Sequence, residues 1–135
     1  MDTPLKQKSN AFRVQATRQL DCFVDEFLYW EFSIEDLKSE FYSRGMADFT
    51  AFIYKTARDI IGSEEVSLSS RDHIGRLFKK TANFVQLTDK ITLSIDDRTI
   101  KPGPIVKSLE SEEIEKYETT AGEIRQALLD FCQSC

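Results

Sequence analysis

The chain reads as an α+β domain that is mainly α, with about five helices and a small antiparallel β-hairpin or meander over residues 84–101. Three observations lead there. Apolar residues recur at steps of three and four over most of the length, the period of a helix with one buried face. Ser, Asp and Gly stand where helices of ordinary length start and stop. After Asn83 the pattern changes to two short apolar runs, one with the two-residue alternation of a half-buried strand.

The first helix is expected from about Asn10 to Phe32, capped by Ser9 or Asn10, because Phe12, Ala16, Leu20, Phe23, Phe27 and Trp30 form one stripe. Leu28, Tyr29 and Phe32 widen that stripe near its end, so aromatic surface spreads beyond one face. A second helix starts at Ser33, where Ser33 and Asp36 have the spacing of a capping box, and stops at Gly45. A third runs from an Asp48 N-cap, with Phe49, Phe52, Ile53, Thr56 and Ile60 inward, to Gly62. Residues 63–70 read as a polar loop with a brief strand at Val66–Leu68. A fourth helix follows from Ser69 or Ser70 to Asn83, burying Ile74, Leu77, Phe78 and Ala82.

Phe84–Leu87 and Ile91–Ile95 then pair as strands across the turn Thr88-Asp89-Lys90. Ile91, Leu93 and Ile95 point one way, Thr92 and Ser94 the other. Asp96 and Asp97 make a second turn, Arg98–Ile100 return as a third strand, and Lys101–Pro104 end regular structure. The last helix opens at Ser108 or Ser111, with Glu112, Glu113 and Glu115 suiting the positive end of its dipole. Ile114, Tyr117, Ala121, Ile124, Leu128 and Phe131 give it a narrow heptad-like seam, expected to pack on the first helix; a homodimer through this helix is the alternative use.

At 135 residues the whole chain, 1–135, is expected to be one domain, with 1–9 flexible and 101–108 a linker before the last helix. Net charge is −5, a balance that disfavours general affinity for polyanions. The charge is uneven: +3 over residues 1–20, −7 over 21–70, +4 over 71–107 and −5 over 108–135. No apolar run reaches the roughly 18 residues of a membrane span, and the opening residues lack a secretory pattern, so no membrane contact and a cytoplasmic home are expected. Cys22, Cys132 and Cys135 then read as reduced thiols.

Few residues carry a chemical pattern. Cys132 and Cys135 have C-x-x-C spacing but lie at the end of a helix, the wrong pole for lowering a thiol pKa. His73, the sole histidine, has no nucleophile and carboxylate arranged around it in the sequence. Asp96 and Asp97 read as turn residues, and no glycine-rich phosphate loop is present. No enzyme activity, no metal and no cofactor are expected.

Two binding readings remain. The first is a small acidic module of the inhibitor, immunity or adaptor type that docks onto a basic protein through Tyr29, Trp30, Glu31, Glu35 and Asp36, since exposed aromatics flanked by carboxylates suit a cationic surface. The second is a winged-helix-like nucleic-acid regulator, in which Arg71, Arg76, Lys79, Lys80 and Lys90 on the helix 70–83 and the hairpin 84–95 would meet phosphates.

Overall fold

The computed structural model describes residues 4–62 and 68–135. Five α-helices follow one another: α1 (Pro4–Tyr29), α2 (Ile34–Lys38), α3 (Glu40–Ile61), α4 (Leu68–Ile95) and α5 (Ser111–Ser134), with a short 3₁₀ turn at Ile105–Ser108 before α5. The four long helices form a bundle in which α1 neighbours α3 and α5, and α4 neighbours the same two. Cross-helix contacts give their directions. Phe12 meets Phe52 while Phe23 meets Tyr42, Tyr54 meets Phe78 while Lys38 pairs with Asp96, and Asp21 pairs with Arg125 while Tyr29 reaches Glu118. All neighbours therefore run antiparallel, up-down-up-down.

The pairing of the first and last helices holds. Tyr117, Ala121, Ile124, Leu128 and Phe131 are all buried. Phe27 stacks on Tyr117 with centroids 4.1 Å apart, Phe12 meets Phe131 edge-on, and Lys6 Nζ donates to the Cys132 carbonyl at 2.7 Å. The seam of α5 is thus covered within one chain by α1 and α4. The capping box at Ser33 is also present: Asp36 N–H donates to Ser33 Oγ at 3.2 Å, and Ser33 N–H to Asp36 Oδ2 at 2.8 Å.

The hairpin over 84–101 is not formed, and no strand occurs among the described residues. The fold class is all-α. Residues Leu68–Ile95 make one uninterrupted helix of 28 residues. Its buried positions Leu77, Thr81, Phe84, Thr88, Ile91 and Ile95 step by four, three, four, three and four, a helical seam in which two threonines occupy core places. Each pays its polar cost locally, Thr81 Oγ1 donating to the Leu77 carbonyl at 2.8 Å and Thr88 Oγ1 to Phe84 at 3.0 Å. Leu93, inward in the strand reading, is 70% exposed. Asp96 and Asp97 form a turn that ends α4, and Arg98, placed in a third strand by its sequence, instead holds Glu113 through two bonds of 2.5 and 3.0 Å.

Three boundaries also move. The break in the second helix falls at Ser39, whose side chain accepts from Tyr42 N–H, so Gly45 and Asp48 lie inside α3 and act neither as stop nor as cap. At Gly45 α3 comes close to α1: an added Cβ would stand 3.4 Å from the Phe23 ring, the edge of ordinary van der Waals contact. Residues 4–9, expected to be flexible, are helical, with Leu5 and Ser9 buried. Within 101–108 the linker carries the 3₁₀ turn, whose Ile105 is buried and donates its N–H to the Phe32 carbonyl at 2.6 Å. Of the brief strand at Val66–Leu68, residues 66 and 67 lie outside the described residues, and Leu68 opens α4.

Candidate partner-binding surface

The ring-rich stretch at the end of α1 divides into two sets. Helical phase sends Phe23 and Phe27 toward the core, where Phe23 lies edge-on to Tyr42 and Phe49, and Phe32, in the turn after α1, tilts against Phe27 and Tyr42. Tyr29 and Trp30 are left outside, 71% and 68% exposed. α1 ends here because Trp30 N–H reaches back five residues to the Asp25 carbonyl at 3.1 Å, and the chain then turns through residues 31–33 into α2.

That turn makes a cleft of about 530 Å³ lined by Cys22, Asp25, Glu26, Trp30, Glu31, Phe32 and Asp36. Of the residues expected to bind a partner, Trp30, Glu31 and Asp36 line this cleft together. Glu35 is exposed on α2 outside the cleft lining, and Tyr29 is directed elsewhere, its hydroxyl donating to Glu118 Oε1 of α5 at 3.4 Å. Cys22, Asp25, Glu26 and Phe32 were not among the expected site residues; for Cys22 and Glu26 the available signal was the successive steps of four from Cys22 to Glu26 to Trp30. No ion pair neutralises Asp25, Glu26, Glu31 or Glu35 among the described residues, while the Asp36 carboxylate is held by its cap. An indole and unpaired carboxylates in one depression suit a cationic, partly apolar contact.

On the α3 side, Phe41 is 87% exposed. It lies in the first turn of α3, outside the lining of the Trp30 cleft.

Behind the cleft, the hydroxyls of Tyr42 and Tyr117 lie 3.4 Å apart, and Tyr117 donates to the Phe23 carbonyl at 3.4 Å. Burial pushes Tyr42 up from its ordinary 10 to about 12, and burial with the neighbouring Tyr42 pushes Tyr117 up as well. Because the folded state favours the protonated phenols, this contribution is whole below pH 10 and is lost as pH rises from about 10 through about 12. Tyr42 alone is expected to account for a fall of about 2–3 kcal/mol in unfolding free energy over that range. Denaturant titrations at pH 9, 10, 11 and 12 check it, with Tyr42→Phe expected to flatten the decline; an equally steep decline in that variant removes Tyr42 as its cause.

The basic residues of the second reading occupy a different face. Arg76, Lys79 and Lys90 are exposed on the outer side of α4, Arg71 is exposed near its start, and Lys80 is turned to α5, where it pairs with Glu123 at 2.8 Å. The hairpin that was to act as a wing is the second half of that same helix. His73 lies half-buried near the start of α4, and the buried Cys132 thiol donates to Asn10 Oδ1 at 2.6 Å. No group of three metal-ligating side chains occurs among the described residues, and no helix among them is long and apolar enough to cross a membrane.

Comparison with protein-family models, with curated proteins and with solved structures finds no match to this chain.

Proposed function

We propose that this chain is a protein-binding module, of the inhibitor, immunity or adaptor type, that docks a basic protein partner at the end of α1 and carries out no catalytic step. The observation that carries the reading is Trp30: a large indole two-thirds exposed beside a cleft whose carboxylates Asp25, Glu26 and Glu31 have no cation of their own. Exposed tryptophans are costly unless covered in a complex, and they dominate interface energetics when they are. The surrounding negative charge speeds encounter with a cationic surface and weakens with salt. The same reading keeps the protein in the cytoplasm, where Cys22, Cys132 and Cys135, all free, stay reduced.

The test is capture of partners from the native host on the immobilised chain, with nuclease treatment as a control, followed by affinity measurement with the captured protein. Trp30→Ala is expected to weaken binding about 30-fold or more, as loss of a hot-spot side chain worth about 2 kcal/mol does. Glu26→Lys with Glu31→Lys is expected to slow association and to flatten its salt dependence. Unchanged affinity in Trp30→Ala would remove this surface from the contact. Recovery of the partner only without nuclease would turn attention to Arg76, Lys79 and Lys90 on α4.

A further inference from the structure

The C-x-x-C pair at the end of α5 plays no part in the Trp30 surface, and its two sulfurs are set differently. Cys132 is buried, 3% exposed, against the first turns of α1. Its thiol donates to Asn10 Oδ1 at 2.6 Å, Ser9 Oγ lies 3.7 Å from the sulfur, and its carbonyl takes the Lys6 ammonium at 2.7 Å. Lys6, Ser9 and Asn10 stand at i, i+3 and i+4 on α1, so one face of that helix is fastened to Cys132. Cys135 is only half-buried and keeps an edge to solvent.

The local backbone brings the two side chains to the same side. Cys135 N–H donates to the Cys132 carbonyl at 3.3 Å, the closure of a 3₁₀ turn, in which side chains at i and i+3 eclipse. Both turn inward: Cys132 is buried, and Cys135 packs against the core as a partly buried side chain. Cα atoms three residues apart in such a turn are about 5–6 Å apart, within the range that a disulfide spans. The bond from Cys132 to Asn10 uses the thiol proton, which a disulfide sulfur does not have. A Cys132–Cys135 disulfide and the thiol–Asn10 bond therefore exclude each other.

We propose that Cys132 and Cys135 are a reversible redox switch: a hydroperoxide closes them into a disulfide, and the closure releases Asn10 and loosens the first turns of α1 from the end of α5. Cys135, the more exposed, meets the oxidant. Its sulfur attacks the peroxide, the O–O bond breaks, an S–O bond forms, and the thiol proton leaves with the other oxygen, giving a sulfenic acid on Cys135. The Cys132 sulfur then attacks the Cys135 sulfur. The S–O bond breaks, the S–S bond forms, and the Cys132 proton leaves with the hydroxyl as water. Two thiols have passed two electrons to one peroxide. Two equivalents of a low-molecular-weight thiol restore the dithiol, which is the resting form in a reducing compartment. The switch is separate from the Trp30 surface and does not depend on it.

The test treats the full chain with hydrogen peroxide, blocks remaining thiols and digests it without reduction. Expected is a loss of about 2 Da that maps to a bond between Cys132 and Cys135 and is reversed by dithiothreitol. Amide exchange at residues 8–14 is expected to become about fivefold faster on oxidation, the effect of one lost hydrogen bond on local opening. Cys135→Ser, a change at a half-buried position, is expected to show neither response. Asn10→Ala is expected to speed exchange at 8–14 in the reduced chain to the same degree, with no further rise on oxidation. The proposal is overturned if the Cys132–Cys135 bond does not form, whether the thiols stay free, link through Cys22 or go on to sulfinic acid. It is overturned equally if the bond forms and exchange at 8–14 is unchanged, or if oxidation speeds that exchange as much in Asn10→Ala.

Discussion

Tyr117→Ala is expected to lower the unfolding free energy by about 3–5 kcal/mol, the cost of truncating a fully buried aromatic side chain. Tyr117 is where the four long helices meet. Its ring stacks on Phe27 of α1 at 4.1 Å and tilts against Phe84 of α4 at 5.0 Å, and its hydroxyl lies 3.4 Å from that of Tyr42 on α3. A domain of this size has some 5–15 kcal/mol in total, so the loss is a large share of it. Tyr117→Phe keeps the rings and removes the hydroxyl, and about 1 kcal/mol is expected for the hydrogen bonds to Tyr42 and Phe23. Guanidinium unfolding followed by circular dichroism measures both. A change below 1 kcal/mol in Tyr117→Ala would contradict a core centred on this ring.

Lys90→Pro is expected to cost at least about 3 kcal/mol, because proline inside a helix removes one backbone hydrogen bond and clashes with the carbonyl four residues earlier. Lys90 is exposed on α4, so no packing is lost with its side chain. The same substitution separates the two conformations open to this stretch. In the hairpin suggested by alternation, residue 90 belongs to the turn, where proline does little harm; in α4 it lies five residues before the helix end at Ile95. Loss of helical ellipticity with a lower denaturation midpoint supports the continuous helix. A fully stable Lys90→Pro variant would return this segment to a turn.

The contrast between α4 and α5 shows what kind of pattern is legible without coordinates. Along α5 the positions that face inward are Tyr117, Ala121, Ile124, Leu128 and Phe131, every one apolar, so spacing alone identifies the helix and its buried side. Along α4 the inward positions Thr81 and Thr88 are polar by composition, which interrupts the helical period, while the exposed Leu93 completes a false two-residue one. A threonine becomes a core residue only when its hydroxyl is satisfied by the preceding turn, and that bond exists only once the helix does. Gly45 follows the same logic. It has the composition of a helix stop, and the nearness of Phe23 from α1 makes it a place where two helices approach.

The candidate surface divides in a similar way. Acidity around residues 25–36, the Ser33–Asp36 cap and the clustering of rings near Trp30 are properties of the chain itself, set by residue type and local spacing. Which rings remain outside is not local. Phe23, Phe27 and Phe32 are absorbed because Tyr42, Phe49 and Tyr117 arrive from α3 and α5 to cover them, leaving Trp30 beside its carboxylates and sending Tyr29 toward Glu118. Periodicity and capping act within a few residues and are written in the chain; burial is a relation between distant segments, and for Trp30, Gly45 and Thr88 alike it was decided by what packed against them.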